Sequence, residues 1–252
     1  PLVFSKEAAG QFMKLQRAKT FLQKLQVILE FRPKHFAPTA ALQCALTDPT
    51  CGLNMGQTAE VIAKKFAISR ERQDAFALES HARVLANREK LREEIMSVFL
   101  SPKYEKWVQD DNGVRENLTM EQLAKLKPVF DRRSGTVTAG NSSQITDGAC
   151  ALLMMEEEKA KSLGYEILGT IAGYDYAGLE PAEMGLGPAF AIEKVLRRTG
   201  KKLSDIQLFE INEAFAVQIL ACIEAMASKK FAEENYPGGQ PLGELNPSLL
   251  NV

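Results

Sequence analysis

The alternation over the last third of the chain constrains its fold most. A short apolar run at 167–172 is followed by a helical stretch at 189–199 that ends at Gly200. A second apolar run (208–211) and a second helical stretch (214–227) come next. Strand, helix, strand and helix on short links predict an α/β layer architecture, because each amphipathic helix must bury its stripe on a neighbouring layer. The run at 208–211 breaks at Asn212, at the carboxyl end of a predicted strand, where open α/β folds place their ligands. Asn212 is the polar uncharged side chain of that turn, and its amide offers a donor and an acceptor. A cap on the following helix is the other reading of the same residue.

Upstream of this alternation the pattern is more broken. The first 38 residues carry seven Lys or Arg against two Glu, although the 252-residue chain as a whole has a net charge of −1. Leu15, Ala18, Leu22, Leu25 and Leu29 recur at three- and four-residue spacing, so residues 10–30 read as one basic amphipathic helix. Such a helix either docks on an anionic surface or partner, or packs its leucines on the body of the protein. Pro33 and Pro38 forbid its continuation. A loop with Cys44 and Cys51 follows. A helix from Met55 turns Ala59, Ile62, Ala63 and Phe66 inward, and a second is capped by Ser69, with apolar positions Phe76, Leu78, Ala82 and Leu85. His81 on that second helix reads as a surface or packed histidine. Residues 94–113 suit strands and loops, with a turn at Asp111-Asn-Gly113. Thr119-Met-Glu-Gln122 is a capping box whose helix must end before Pro128.

Residues 130–143 read Phe-Asp-Arg-Arg-Ser-Gly-Thr-Val-Thr-Ala-Gly-Asn-Ser-Ser. The glycines at 135 and 140 allow close backbone approach to a ligand, and the same stretch reads equally as a strand between two turns. No Gly-Lys-Ser/Thr follows, so it is not a Walker loop. Residues 147–155 suit a buried strand or helix start, 156–163 a short charged helix stopped by Gly164, and 231–247 a Gly/Pro-rich polar loop. The last residues begin another strand.

Composition narrows the function classes. With 45% hydrophobic and 25% charged residues the chain is an ordinary folded one, and its charge balance carries no nucleic-acid signature. No apolar run approaches the roughly 18 residues that a membrane span requires. Cys44, Cys51, Cys150 and Cys222 form no metal spacing, and His35 and His81 are the two imidazoles. No metal site is expected, and a reducing intracellular setting is. The chain opens on Pro1 and stops in a strand-like Leu-Leu-Asn-Val at 249–252, which reads as a fragment.

Several separate stretches together resemble the thiolases. They are Met-Gly-Gln-Thr-Ala-Glu at 55–60, Leu-Lys-Pro at 126–128, Gly-Thr-Val-Thr-Ala-Gly-Asn at 135–141 with Ser143, Asp147-Gly148, and Asn-Glu-Ala-Phe-Ala at 212–216. The basic opening and Phe-Arg-Pro-Lys-His-Phe at 31–36 are similar to the trifunctional-enzyme β-subunit branch, which acts in fatty-acid β-oxidation. The resemblance implies an incomplete thiolase-like layered α/β fold. Residues 1–146 would be the coenzyme-A-binding loop domain with its basic helix, 147–164 a returning piece of the first core domain, and 165–252 part of the second. It implies thiolysis of 3-ketoacyl-CoA to acetyl-CoA and a shortened acyl-CoA. Coenzyme A would be a substrate, and no cofactor would be permanently bound.

Residue by residue, the resemblance assigns coenzyme A contacts to Met55, Arg115, Phe130, Ala139 and Ser143, the acyl end of the pocket to Met184 and Phe215, and a water-holding oxyanion role to Asn212. The family's nucleophilic cysteine, its Gly-His-Pro histidine and its second cysteine match no position here, and Asn54 stands where a histidine is usual. The chain alone is therefore expected to be inactive. The resemblance further implies a homo-oligomer and residence in the bacterial cytoplasm or mitochondrial matrix, and the basic opening helix suggests association with a membrane surface, as a peripheral contact, or with a hydratase/dehydrogenase partner subunit. Two alternatives remain at this level: a non-catalytic acyl-CoA-binding or scaffolding protein derived from a thiolase, and a biosynthetic acetoacetyl-CoA-forming thiolase.

Overall fold

The computed structural model describes residues 2–251; Pro1 and Val252 lie outside the described residues. The chain divides into two compact units, one ending at Met55 and one starting at Gly56.

In the first unit, β1 (Leu2–Val3) pairs antiparallel with β2 (Thr39–Ala40), and between them run α1 (Lys6–Arg17) and α2 (Phe21–Leu29). The predicted single helix is thus two. The break falls at Thr20, whose hydroxyl accepts the Gln23 N–H while the Gln23 side chain returns to the Thr20 N–H, a capping box that starts a new helix. Lys14 on α1 ties to Glu30 at the end of α2 at 3.3 Å. A chain of rings, Phe4 to Phe12 to Phe31 to Phe36 with centroids 5.2–5.7 Å apart, forms a largely exposed aromatic cluster. The leucine stripe does not bury: Leu22 and Leu29 are 76% and 78% exposed, and no residue of α2 is buried. A short α3 (Ala41–Ala45) leads into the turn before Met55.

The second unit is built around α10 (Ala216–Ala227), whose wide apolar face is buried while Glu224 on the opposite side pairs with Arg72. It packs against α5 (Arg70–Ala86), α9 (Gly187–Thr199), α11 (Lys229–Asn235) and the 3₁₀ turn Pro181–Leu186. Ile62, Leu186, Val217, Ile219 and Met226 are fully buried in this core. α4 (Met55–Lys65) supplies Ala59, Ile62 and Ala63 as predicted, and α9 ends where Gly200 takes φ 67°. β5 (Phe209–Glu210) pairs in parallel with β6 (Leu250–Asn251), and Arg83 of α5 donates to the Leu250 carbonyl. Around this core lie α6 (Arg88–Arg92), the antiparallel ribbon of β3 (Val98–Phe99) and β4 (Trp107–Val108), the capped helix α7 (Met120–Ala124), and α8 (Glu157–Ser162).

Four expectations need correction. Residues 147–155 are neither buried nor in an element, and 167–172 is not a strand. Leu152 and Leu168 are 83% and 94% exposed, and neither segment finds a partner strand among the described residues. Residues 229–235, placed partly in a loop, are helical because Ser228 caps them and Phe231 and Ala232 bury. The inward face of α5 is mixed: Phe76 packs on the core as expected, but Gln73, Asp74 and Ala77 are the buried residues and Ala82 is exposed.

Candidate functional site

The Gly135–Ser143 loop is shaped by carboxylates from two helices. Glu60 of α4, only 4% exposed, accepts the N–H groups of Thr136 and Val137 at 2.9–3.0 Å. Asp74 of α5 accepts from Asn141 Nδ2 at 2.9 Å, and Gln73 Nε2 donates to Thr136 Oγ1 at 2.9 Å. At the start of the loop Asp131 accepts from Lys64 Nζ at 2.7 Å and from the N–H groups of Arg133 and Ser134. The Lys64 bond, with those of Ser134 and Arg133, holds its carboxyl well below the usual carboxylate range. Phe130 lies against Gly56, where a Cβ would enter the ring.

The far end of the loop is stitched to the Asn212 turn. Ser142 and Phe215 form an antiparallel bridge, the Ser143 N–H donates to the Ala214 carbonyl at 2.9 Å, and the Ala216 N–H donates to the Asn141 carbonyl at 3.0 Å. Phe130 meets Phe215 edge to face with centroids 6.1 Å apart. Asn212 does not cap α10. That helix starts at Ala216 with Phe215 as its cap residue, and the exposed Asn212 side chain makes no hydrogen bond among the described residues.

A cavity of about 1380 Å³ opens beside this junction. Arg115, Ala139 and Ser143 line it, so three of the eight predicted site residues share one wall system. Phe130 and Phe215 form a second contact pair. Met184 is half-exposed on the 3₁₀ turn Pro181–Leu186, away from the cavity lining, and Met55 closes the first unit with its N–H on the Leu46 carbonyl.

The cavity also collects groups that the sequence left aside. His81 Nδ1 accepts the Arg115 N–H at 3.4 Å. Burial, and then the Arg115 charge, push its pKa down and favour the neutral ring. Glu213 lines the same wall, and burial raises its carboxyl against an opposing Ser80 hydrogen bond. Their signal in the sequence was weak: a histidine and a serine on adjacent positions of α5, and an acid directly after Asn212. Cys222 is buried against the Gly185 carbonyl, and desolvation pushes its thiol up to about 12, which disfavours the thiolate that a nucleophile needs. Among the described residues no group of His, Cys, Asp and Glu is arranged for a metal.

Comparison with known proteins defines the class. The thiolase N-terminal domain model matches residues 29–158 and the thiolase C-terminal domain model matches 165–243. The chain belongs to the thiolase family, and its mixed helix-and-sheet architecture is part of the thiolase fold. Within that family it is 45% identical to a 3-ketoacyl-CoA thiolase of Pseudoalteromonas translucida and 43% identical to one of Vibrio cholerae, in both cases over 100% of this chain and 58% of the relative. The chain therefore spans somewhat over half the length of these curated relatives. Human mitochondrial 3-ketoacyl-CoA thiolase in complex with CoA superposes with a TM-score of 0.73 at 35% identity, covering 89% of this chain and 52% of that one. The Bacillus anthracis acetyl-CoA acetyltransferase gives 0.72 at 38%, covering 86% and 55%.

Proposed function

We propose that this chain forms the coenzyme-A-holding part of a 3-ketoacyl-CoA thiolase, an acyltransferase of fatty-acid β-oxidation. In that reaction the bond between the α and β carbons of a 3-ketoacyl-CoA breaks. The acyl group passes to the thiol of a second coenzyme A, and acetyl-CoA leaves. The observation that supports this most is the stitching of the Gly135–Ser143 loop to the Asn212 turn beside a cavity that presents Arg115 and Ser143.

The chemistry of these side chains suits the coenzyme. The Arg115 guanidinium can pair with a phosphate, and Phe130 can cover the adenine. Ala139 gives the backbone room, and the Ser143 hydroxyl can bond the pantetheine amide. The family resemblance assigns Met55 to the same ligand and Met184 and Phe215 to its acyl end, although none of the three lines this cavity. The free amide of Asn212 holds a water against the thioester oxygen as negative charge grows there. Coenzyme A enters and leaves as substrate. Partners on this reading are further copies of the chain and a hydratase/dehydrogenase subunit, in a bacterial cytoplasm or mitochondrial matrix. No helix among the described residues is long and apolar enough to cross a membrane. A peripheral contact through α2 fits its exposed leucines and neighbouring lysines instead.

The test is calorimetric titration of coenzyme A into the chain. Binding to the wild type that weakens about tenfold in Arg115→Ala, the size of one charge-assisted hydrogen bond, supports the reading. Absence of binding refutes it. In a coupled assay with acetoacetyl-CoA or a longer 3-ketoacyl-CoA the pure chain is expected to show no turnover, and turnover would overturn that expectation.

A further inference from the structure

Asn141 occupies a position that the coenzyme reading alone does not explain. It is 2% exposed and touches both sides of the junction. Its Nδ2 donates to Asp74 Oδ1 at 2.9 Å and to the Thr136 carbonyl at 3.1 Å, and its Oδ1 accepts the Thr138 N–H at 2.8 Å. Only this orientation of the amide satisfies all three partners, since two are acceptors and one is a donor. The main-chain carbonyl of the same residue accepts the N–H of Ala216, where α10 begins. Its side chain thus sets the path of the ligand loop, and its backbone sets the start of the helix behind the Asn212 turn. Asp74 is itself immobilised: it is 2% exposed and accepts Arg70 Nε at 2.6 Å.

We propose that Asn141 is a positioning residue that couples the Ala139–Ser143 wall of the cavity to the Asn212–Phe215 turn, with Asp74 as its fixed anchor. The proposal rests on the reading of this cavity as a coenzyme A site. A shift of the Asn141 amide moves Ser143 and the Asn212 turn together, because the Ser143 N–H and the Asn141 carbonyl are bonded to Ala214 and Ala216 on either side of the Ser142–Phe215 bridge. Glu60 fixes only the upstream half of the loop, through Thr136 and Val137. The charged and titratable groups around the clasp are Asp74 and Arg70 on α5, Glu60 on α4, and Glu213 and His81 on the cavity wall.

The test exploits charge. In Asn141→Asp a carboxylate oxygen replaces Nδ2 facing Asp74, so the pair keeps its hydrogen bond only while the two acids share a proton. Hydrogen exchange is read at pH 5.0 and 8.5, corrected for intrinsic rates, alongside coenzyme A titrations on the same samples. At pH 8.5 the Ser143 and Ala216 amides should exchange about tenfold faster than in the wild type, as expected for a lost hydrogen bond to a charged group. Coenzyme A should bind about tenfold more weakly in the same sample. At pH 5.0 both differences should shrink to about threefold or less, while the Cys222 and Ala225 amides of α10 keep wild-type protection at both values.

The Asp74→Asn/Asn141→Asp double variant restores a donor and an acceptor, and should lose the pH dependence. Equal protection of Ser143 and Ala216 at both pH values in the single variant would overturn the proposal. So would loss of protection that spreads through α10, or a loosened clasp with unchanged coenzyme affinity. A wild type that fails to bind coenzyme A sinks the coenzyme reading instead, and the exchange data still judge the clasp. If the single variant does not fold, a pH dependence that persists in the double variant overturns the proposal, and its absence there supports it.

Discussion

At the scale of single residues, exposure and burial divide the site. Asn212 projects an unpaired amide, whereas its neighbour Glu213 faces the cavity wall in a place that disfavours charge. In an active thiolase carrying this sequence, Asn212→Ala is expected to lower kcat about 10²–10³-fold, the cost of one oxyanion donor, with little change in melting temperature. Steady-state kinetics and a thermal melt decide it. Glu213 makes a prediction about pH. Its folded-state pKa is raised, so the protonated form suits the fold, and this contribution is lost as pH rises through the folded value. Glu213→Gln should therefore raise the melting temperature near pH 8 and leave it unchanged near pH 4. A melt that shifts equally at both values contradicts the burial argument. His81 works in the opposite range: its lowered pKa means stability is lost as pH falls below the ordinary imidazole value.

At the scale of elements, a buried acid on α4 and an exposed apolar face on α2 stand out. Glu60 on the buried face of α4 serves as an anchor for the ligand loop, not as a surface charge. Glu60→Ala strands two backbone donors, at about 1–3 kcal/mol each, and chemical denaturation should register that loss. Glu60→Gln keeps one acceptor and should recover part of it. The opposite case is α2, whose Phe21, Leu22 and Leu29 are each more than three-quarters exposed beside Lys19 and Lys24. An apolar face flanked by cations suits an anionic lipid interface. Sedimentation with anionic vesicles should pull the chain down at low salt and less so at high salt, and Leu22→Ser with Leu29→Ser should weaken it. Indifference to both salt and the substitutions would remove the membrane role. The capping boxes at Thr20 and Thr119 were readable in the same local way. Thr119-Met-Glu-Gln122 marks α7 directly, whereas the leucine spacing that runs across Thr20 masks the break there.

At the scale of the whole molecule, the helical core and the strand-like segments behave differently. Residues 145–155 make no main-chain hydrogen bond with the described residues, and Ile145, Leu152 and Leu153 are each more than two-thirds exposed. Such segments open at almost no free-energy cost. Thermolysin should cut there and within 166–172 well before it cuts in α9 or α10, as mass spectrometry of the early fragments would show. First cuts in α10 would contradict the packing described for it. Much of this architecture was legible in the chain itself. Gly200 ended α9, Ser69 and Thr119 started their helices, and the inward set of Ala59, Ile62 and Ala63 followed from helical spacing. The same holds for the family motifs, which lie in contiguous stretches. These are local properties, set by backbone sterics, capping and the 3.6-residue period. What only the tertiary structure decided depends on groups far apart in sequence: Glu60 meeting Thr136, Asp74 meeting Asn141, and Ser143 meeting Ala214. The same is true of the two apolar runs that formed no strand, because a strand is stable only where a partner supplies its hydrogen bonds. Asn212 shows the division most plainly. Its sequence allowed a helix cap or a ligand-facing amide, and the start of α10 at Ala216 left the amide free.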